Sequence, residues 1–365
     1  MSAPNKRRRT AAAIALTAGI TAGAALMLSA CGPNDATGSA SPSSTGTGAA
    51  GNGSGSGSGS GSGNGSGGGT GNGGSGQGGS GVKPVGSASP VPNGTAHNGL
   101  TISNGTRFVV MNGTRVDFGT EVRDLAWSPD GRRAAFVDGD GDLAVSDPDG
   151  SGRVVVARNP GGQNWSHPTW QVRAADPQTS QPALDNLVFA VRSAAGVATL
   201  VSVPATAHGA TPKVLGLNRE SGANVAPLPQ TGNSWPSSAG RYGTAVYANS
   251  GTGEVYLRDD YLRQQGSALT HGSEPALAPT QDEDVVFVRS VGGHDHLFLE
   301  HSANSGPTYR DLTPDAITDY TEPAWSPDGR TIAARTPAGI VTLPADGSHA
   351  PVRVSGYTGL PAYRA

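Results

Sequence analysis

The chain has 365 residues, 56 of them glycine, one cysteine and a formal charge of −3. Glycine at about twice its usual share, without long charged stretches of helix formers, excludes a coiled coil and a helical bundle; a single cysteine excludes a disulfide scaffold. Much of the glycine lies before residue 100, which leaves about three quarters of the chain for packing, a length at which all-β propellers and barrels commonly fold as one unit.

Residues 1–30 read as an export address. Lys6, Arg7, Arg8 and Arg9 form a positive segment, and Ala11 to Ala30 is apolar or small with no charge, the layout of a secretory signal. Its end, Leu28-Ser29-Ala30-Cys31 followed by Gly32, resembles the lipobox of bacterial lipoproteins. That resemblance implies cleavage before Cys31 and a diacylglycerol on its thiol. One acyl chain anchors only marginally, at ~0.8 kcal/mol per buried methylene, whereas two hold. The alternative is an uncleaved membrane helix: the stretch is long enough to cross a bilayer, but its Gly, Thr and Ala make it weakly hydrophobic. Arg8-Arg9 raises twin-arginine export, without the bulky apolar pair expected to follow. A lone thiol in an oxidising compartment is a liability unless blocked, and acylation blocks it. Loss of the four basic residues shifts the formal charge from −3 to about −7, a poor match for nucleic acid or an anionic membrane surface.

Residues 31–97 read as a tether. No charged residue lies between Ala36 and Val82, and Gly-Ser and Gly-Asn alternate most purely from Gly51 to Gly81. Such a segment has too little apolar surface to offset ordering entropy, and about 60 residues of it reach ~40–45 Å.

Residues 98–365 read as repeats. Leu125-Ala126-Trp127-Ser128-Pro129-Asp130-Gly131-Arg132 recurs as Pro323-Ala324-Trp325-Ser326-Pro327-Asp328-Gly329-Arg330. Degenerate copies stand at Glu274-Pro275-Ala276-Leu277-Ala278-Pro279 and His167-Pro168-Thr169-Trp170. A fifth is read at Val225-Ala226-Pro227-Leu228-Pro229, with Trp235-Pro236-Ser237-Ser238 as a rival alignment. Spacings of about 40–60 residues are those of a four-stranded propeller blade. In each unit a short strand ends at the anchor residue. Ser128-Pro129-Asp130-Gly131 and Ser326-Pro327-Asp328-Gly329 then suit type I turns, and further short apolar strands alternate with polar turns as a meander. The anchors Trp127, Trp170, Leu277 and Trp325 read as packing residues between blades, with Trp127 and Trp325 equivalently buried.

The two ends read as one blade. Leu100 to Phe118 holds three strand-like runs separated by Asn-Gly pairs, which are hairpin signals. Leu360-Pro361-Ala362-Tyr363 reads as the start of a further unit, with only Arg364 and Ala365 after it in the sequence. A circular array must close its edges, so the last strand is expected to complete the first blade. The fold class is therefore all-β: a six-bladed propeller of four-stranded antiparallel blades.

The Trp-Ser-Pro-Asp-Gly-Arg units resemble the repeats of the TolB-type six-bladed β-propeller, the WD40-like PD40 repeats. The resemblance covers Asn98 to Ala365. It implies an envelope-exposed propeller that binds other proteins and is not an enzyme. TolB proper is soluble and carries an N-terminal α/β domain where this chain has a lipobox and a tether. The Ala/Gly/Thr/Arg bias and the tether resemble an actinobacterial surface lipoprotein.

Candidate chemistry is sparse. Asp138, Asp140 and Asp142 mimic the first three ligands of a calcium loop, and Asp149 falls at its twelfth position. Leu143 stands where that loop needs Gly, however, and Asp149 is short for its bidentate Glu. His294-Asp295-His296 puts two imidazoles on one face of a strand with His301 nearby, but a third metal ligand is not identifiable, and a solvated hairpin end beside Gly292-Gly293 is the plainer reading. No nucleophile elbow, Walker loop, dinucleotide fingerprint or Cys cluster is present, so no catalytic residue, metal or cofactor is expected. The function expected is that of a lipid-anchored, extracytoplasmic monomer whose propeller binds an unidentified envelope protein or glycan. The alternative is a hydrolase or lyase acting on envelope glycans. A cluster of inward carboxylates at one mouth of the propeller would mark it. The insertion Arg173 to Asp185 in the second unit is where unit-specific recognition is expected.

Overall fold

The computed structural model describes residues 93–365 apart from 218–226, 262–264, 281–283 and 304. Cys31, the lipobox residues Leu28, Ser29 and Ala30, and the expected tether as far as residue 92 lie outside the described residues; of its last five residues, 93–97, Thr95 is buried and accepts the Gly113 N–H.

Among the described residues the chain forms six four-stranded antiparallel sheets. The first is built by both ends of the domain: β1 (Leu100–Ser103), β2 (Phe108–Met111) and β3 (Thr114–Asp117) are joined by β24 (Leu360–Tyr363). The next five run in sequence order, each from its innermost strand outwards. These innermost strands are β4 (Arg123–Trp127), β8 (Asn164–Arg173), β12 (Asn233–Ser238), β16 (Ser273–Leu277) and β20 (Thr321–Trp325). With β24 they stand side by side in a closed ring. This is a six-bladed propeller.

Local chemistry explains the meander. Asn112 and Gly113 both take left-handed φ, 50° and 73°, in the two-residue turn between β2 and β3, as the Asn-Gly pair favours. The two Ser-Pro-Asp-Gly turns are copies of one another. Ser128 Oγ donates to Asp130 Oδ1 at 2.6 Å and accepts the Arg133 N–H at 3.0 Å. Ser326 Oγ does the same with Asp328 Oδ1 and Thr331 N–H, at 2.6 and 2.9 Å.

The blades' middle strands are buried on both faces because each sheet is sandwiched between two others. β5 (Ala134–Val137) and β6 (Leu143–Ser146) are buried at every position, which is why they read as continuous apolar runs. The core is a set of inter-blade clusters. Ala135, Val137, Leu143 and Val145 of one blade meet Trp165, Leu187 and Phe189 of the next.

The anchor residues lie at these seams. Trp170 donates its indole N–H to the Ala126 carbonyl of the preceding blade at 3.2 Å, and Trp325 donates to Ala276 at 2.9 Å. Trp127 reaches Thr101 Oγ1 at 3.0 Å, and Thr101 passes the bond on to the Ala362 carbonyl at 3.0 Å. A threonine relay thus replaces the direct bond where the ring closes. Trp127, Trp170 and Leu277 are buried, but Trp325 is only partly buried, so the two tryptophans of the best-matched repeats are not equally enclosed. The fifth repeat begins at Trp235-Pro236-Ser237-Ser238, on β12. The stretch 227–229 forms no strand. The Pro-small-residue frame, rather than a full Trp-Ser-Pro match, marks an inner strand.

Candidate functional site

Each inner strand carries the same four-residue frame: Asp124-Leu125-Ala126-Trp127, His167-Pro168-Thr169-Trp170, Trp235-Pro236-Ser237-Ser238, Glu274-Pro275-Ala276-Leu277, Glu322-Pro323-Ala324-Trp325 and Leu360-Pro361-Ala362-Tyr363. In five of them the first residue has left-handed φ: Asp124 55°, His167 52°, Trp235 48°, Glu274 49° and Glu322 51°. The ladder to the second strand slips at the same place in all five. These are β-bulges, which re-aim a side chain out of the strand's alternation. A non-glycine residue held in this region costs on the order of 1–3 kcal/mol and persists only where the surroundings impose it. Here the five bulges, with Leu360 in the sixth frame, bring Asp, His, Trp, Glu, Glu and Leu side chains around the axis.

Those six line an axial cavity of about 410 Å³ together with Trp127, Trp170, Trp325, Tyr363 and the frame prolines. Its mouth is on the face that carries the Ser-Pro-Asp-Gly turns, at Pro129, Pro279 and Pro327. Asp124, Glu322 and Leu360 also line a second, polar cavity of about 670 Å³ towards the opposite face, with Arg123, Asp319 and Arg335. Asp124, Glu322 and Leu360 therefore stand as a septum between the two, beside His167, Trp235 and Glu274 on the axial side.

Two carboxylates clasp the next blade. Asp124 Oδ2 accepts the His167 backbone N–H at 3.0 Å, and Glu274 Oε2 accepts that of Glu322 at 2.6 Å. Burial pushes the Glu322 carboxyl up to about 7, opposed by Arg335 and reinforced by the carboxylates of Glu274 and Asp124. Burial raises Glu274 as well. It holds the His167 imidazole below its ordinary value, against the pull of Asp124. Several polar atoms here are sealed from solvent and have no hydrogen-bond partner: both ring nitrogens of His167, Trp235 Nε1 and Glu322 Oε2. His167 Nδ1 is 3.8 Å from Asp124 Oδ2, too far for a hydrogen bond. Arg335 Nη1 is 3.0 Å from Glu322 Oε2 but off the bonding direction, so it neutralises the oxygen without satisfying it.

The residues singled out in the sequence fall elsewhere. Asp138 Oδ1 accepts the N–H groups of Asp140 and Asp142, and its Oδ2 faces Arg153 at 2.7 Å. Asp142 caps Asn159 N–H, and Asp149 holds Ser151. These carboxylates organise two hairpin turns. His294, His296 and His301 each face a different carboxylate: Asp319, Asp311 and Asp284. His296 is buried, not at a solvated hairpin end; its Nδ1 lies 2.9 Å from Asp311 Oδ2. Among the described residues no three or more His, Cys, Asp or Glu are grouped to hold a metal ion.

The insertion after β8 leans on the blade that follows. Tyr261 donates its hydroxyl to Asp176 at 2.5 Å, and its ring packs on Tyr242 at 4.5 Å between centroids. Arg173 is buried and donates to the carbonyls of Pro182, Tyr242 and Asp260. The loop is strapped down on the same face as the cavity mouth.

The bulge residues were not singled out in the sequence. A partial signal was there: five of the six frames have proline at the second position and all six have a small residue, Ala, Ser or Thr, at the third, whereas the first position reads Asp, His, Trp, Glu, Glu and Leu.

No family model matches the chain, and no curated protein matches it. Among solved structures it is similar in architecture to TolB from Acinetobacter baumannii, with 16% identity over 73% of this chain and a TM-score of 0.49. The chain spans 65% of the length of that TolB chain. The β-propeller domain of Cps50 (Swd1) from Myceliophteria thermophila aligns over 67% of this chain and 90% of its own, with 12% identity and a TM-score of 0.42. At these values the propeller assignment stands on the strand order and ring closure described above.

Proposed function

We propose that the chain is a membrane-tethered, extracytoplasmic binding module, with the axial cavity on the turn face as its recognition site for an envelope partner. The observation that carries this reading is the division of labour within the inner frame. Positions two and three are alike around the ring, proline in five blades and a small residue in all six, and the fourth-position indoles of Trp127, Trp170 and Trp325 bond across the seams. The first position is different in nearly every blade and is turned to the axis. Packing repeats with the blades, whereas recognition of a ligand without six-fold symmetry calls for an asymmetric set of side chains. A concave site with apolar walls and a few converging polar groups is the usual form of a ligand site. Lipid attachment at Cys31 and the tether would hold this module at the outer side of a membrane.

The test is capture of envelope partners by cross-linking to the intact protein, compared with Ala324→Trp, which fills the cavity from its wall. A partner captured by the parent and lost with Ala324→Trp supports the reading. A partner captured equally by both overturns the cavity as its site.

A second reading has one observation in its favour. Asp124, Glu274 and Glu322 form the inward carboxylate cluster that would mark a hydrolase or lyase. A carboxyl raised to about 7 by burial, as Glu322 is, suits a general acid. Against it, Asp124 and Glu274 each have an oxygen committed to a backbone N–H of the next blade. Release of new reducing ends from envelope glycan by the parent, abolished in Glu322→Gln, would establish the enzymatic reading.

A further inference from the structure

We propose that the septum of the axial cavity seats a cationic side chain, arginine or lysine, of a partner polypeptide. This rests on the reading of the cavity as a binding site and names what enters it.

The first argument is charge. Three carboxylates, of Asp124, Glu274 and Glu322, line the inner end of the cavity at and beside the septum. The cation beside them, Arg335, is paired with Glu322. Burial and the nearby Arg335 lower the proton affinity of His167, against Asp124, and its ring makes no hydrogen bond to either carboxylate. Arg335 also acts on Glu274 at longer range, but neither Asp124 nor Glu274 makes a close ion pair with an arginine or lysine among the described residues. Each has one oxygen in the inter-blade clasp, while Asp124 Oδ1 and Glu274 Oε1 make no hydrogen bond among the described residues. A buried carboxylate favours an opposite charge at hydrogen-bond distance.

The second argument is independent of the carboxylates. Both His167 nitrogens and Trp235 Nε1, on residues that line the cavity, have no hydrogen-bond partner and are closed to solvent, so an entering group reaches them by a turn of those side chains. Buried polar groups are normally satisfied, and each exception calls for an explanation. A neutral imidazole has one acceptor nitrogen, which takes an N–H from a guanidinium or ammonium. Its own N–H and that of Trp235 need acceptors, which the backbone carbonyls of a polypeptide supply. A glycan brings hydroxyls but no positive charge, and leaves Asp124 and Glu274 uncompensated.

The third argument is an internal precedent. The walls hold Trp127, Trp170 and Trp325, and indole faces attract guanidinium groups. The chain's own Arg364 already places its guanidinium 5.3 Å from the centre of the Trp127 ring, anchored by a 2.7 Å bond from Nε to the Gly131 carbonyl.

The full chain is titrated with the blocked tripeptide acetyl-Ala-Arg-Ala-amide, and with the same peptide carrying citrulline for arginine. Binding is followed by tryptophan fluorescence and calorimetry. Citrulline keeps the size and most donors of arginine and removes its charge. The arginine peptide is expected to bind at least ten-fold more tightly than the citrulline peptide, and to weaken as salt is raised. Asp124→Asn and Glu274→Gln keep an oxygen for the backbone clasp while removing the charge. Each is expected to weaken the arginine peptide ten-fold or more, with thermal unfolding as the check on integrity. If either variant unfolds early, the arginine-to-citrulline ratio in the parent decides. Equal binding of the two peptides, no binding of either at millimolar concentration, or preference for a neutral N-acetylglucosamine oligomer overturns the proposal. An envelope partner blocked by Ala324→Trp yet captured equally by Asp124→Asn and Glu274→Gln would leave the cavity as the site and refute the cation.

Discussion

Trp127 packs at the seam where the ring closes, and its indole N–H leads through Thr101 to the last strand. Its buried ring should contribute on the scale of large-to-small core changes, about 3–5 kcal/mol for Trp127→Ala. Trp325 holds the same place in its blade but is only partly buried, so Trp325→Ala should cost less. Urea denaturation of both variants checks the order. Trp127→Phe keeps most of the packing and removes the indole bond, for about 1 kcal/mol.

Glu322 gives a pH signature at the same scale. Its carboxyl has an ordinary value of 4.5 and a folded value of about 7, so the folded state binds the proton more tightly. The stability this contributes is complete below about pH 4.5 and is lost as the pH rises through 7. The full effect is no more than roughly 3 kcal/mol. Glu322→Gln should flatten the fall in urea midpoint between pH 5 and pH 8, and should exceed the parent in stability at pH 8. An unchanged slope would count against Glu322 as the titrating group.

At the scale of the element, the Ser-Pro-Asp-Gly turn shows what the sequence made legible. Serine, proline, aspartate and glycine each have one geometric role there, and the turn formed as the pattern requires in both copies. The bulge one strand-length earlier was not legible. A left-handed φ at Asp124, His167, Trp235, Glu274 and Glu322 is imposed by the ring and contradicts the local preference of those residues. His296 was misjudged for a related reason: its hairpin begins at an exposed Gly-Gly pair, yet three residues later the strand is already between blades. The inner strand at Trp235 was hard to align because its anchor is Ser238, a residue without the bulk that marks the others.

Gly131 and Gly329 test the turns. Both have left-handed φ, 66° and 69°. A methyl group on Gly131 would fall 2.4 Å from the backbone oxygen of Ala365, and on Gly329 2.5 Å from the Thr280 hydroxyl. Threonine can rotate away, but the backbone after the closing strand is less free to move. Each Gly→Ala change should cost about 1 kcal/mol for its φ alone, and Gly131→Ala should cost more. A comparison of thermal midpoints of the two variants decides this.

For the whole molecule, closure is carried by β24. Its register with β1 pairs Leu100 with Tyr363, Thr101 with Ala362, Ile102 with Pro361 and Ser103 with Leu360. Deleting residues 359–365 removes this strand, one wall of the axial cavity and the acceptor of the threonine relay. It leaves β1 as an open inner edge. The loss should be several kcal/mol on the scale of a domain's total stability, seen as a lower denaturant midpoint. An unchanged midpoint would refute closure by the last strand. At the other end of the chain, a fatty-acid probe should label the parent in cells and leave Cys31→Ser unlabelled; labelling of the serine variant would exclude Cys31 as the lipid site.

Because Leu100 lies opposite Tyr363, and the Arg364 N–H bonds to the Gly99 carbonyl at 2.8 Å, the two ends of the propeller already touch. Circular permutation follows from that meeting. Joining Ala365 to Asn93 and opening the chain at the exposed turn Gly292-Gly293 would convert the β24–β1 pair into an ordinary hairpin. The long-range closure, whose entropic cost grows with the length of chain between its strands, would move to β17 (Asp284–Val291) and β18 (His294–Ala303), which share eight register pairs against the four that join β1 to β24. The rearranged chain should fold to the same ring around the same axial cavity, with its seam in a different blade.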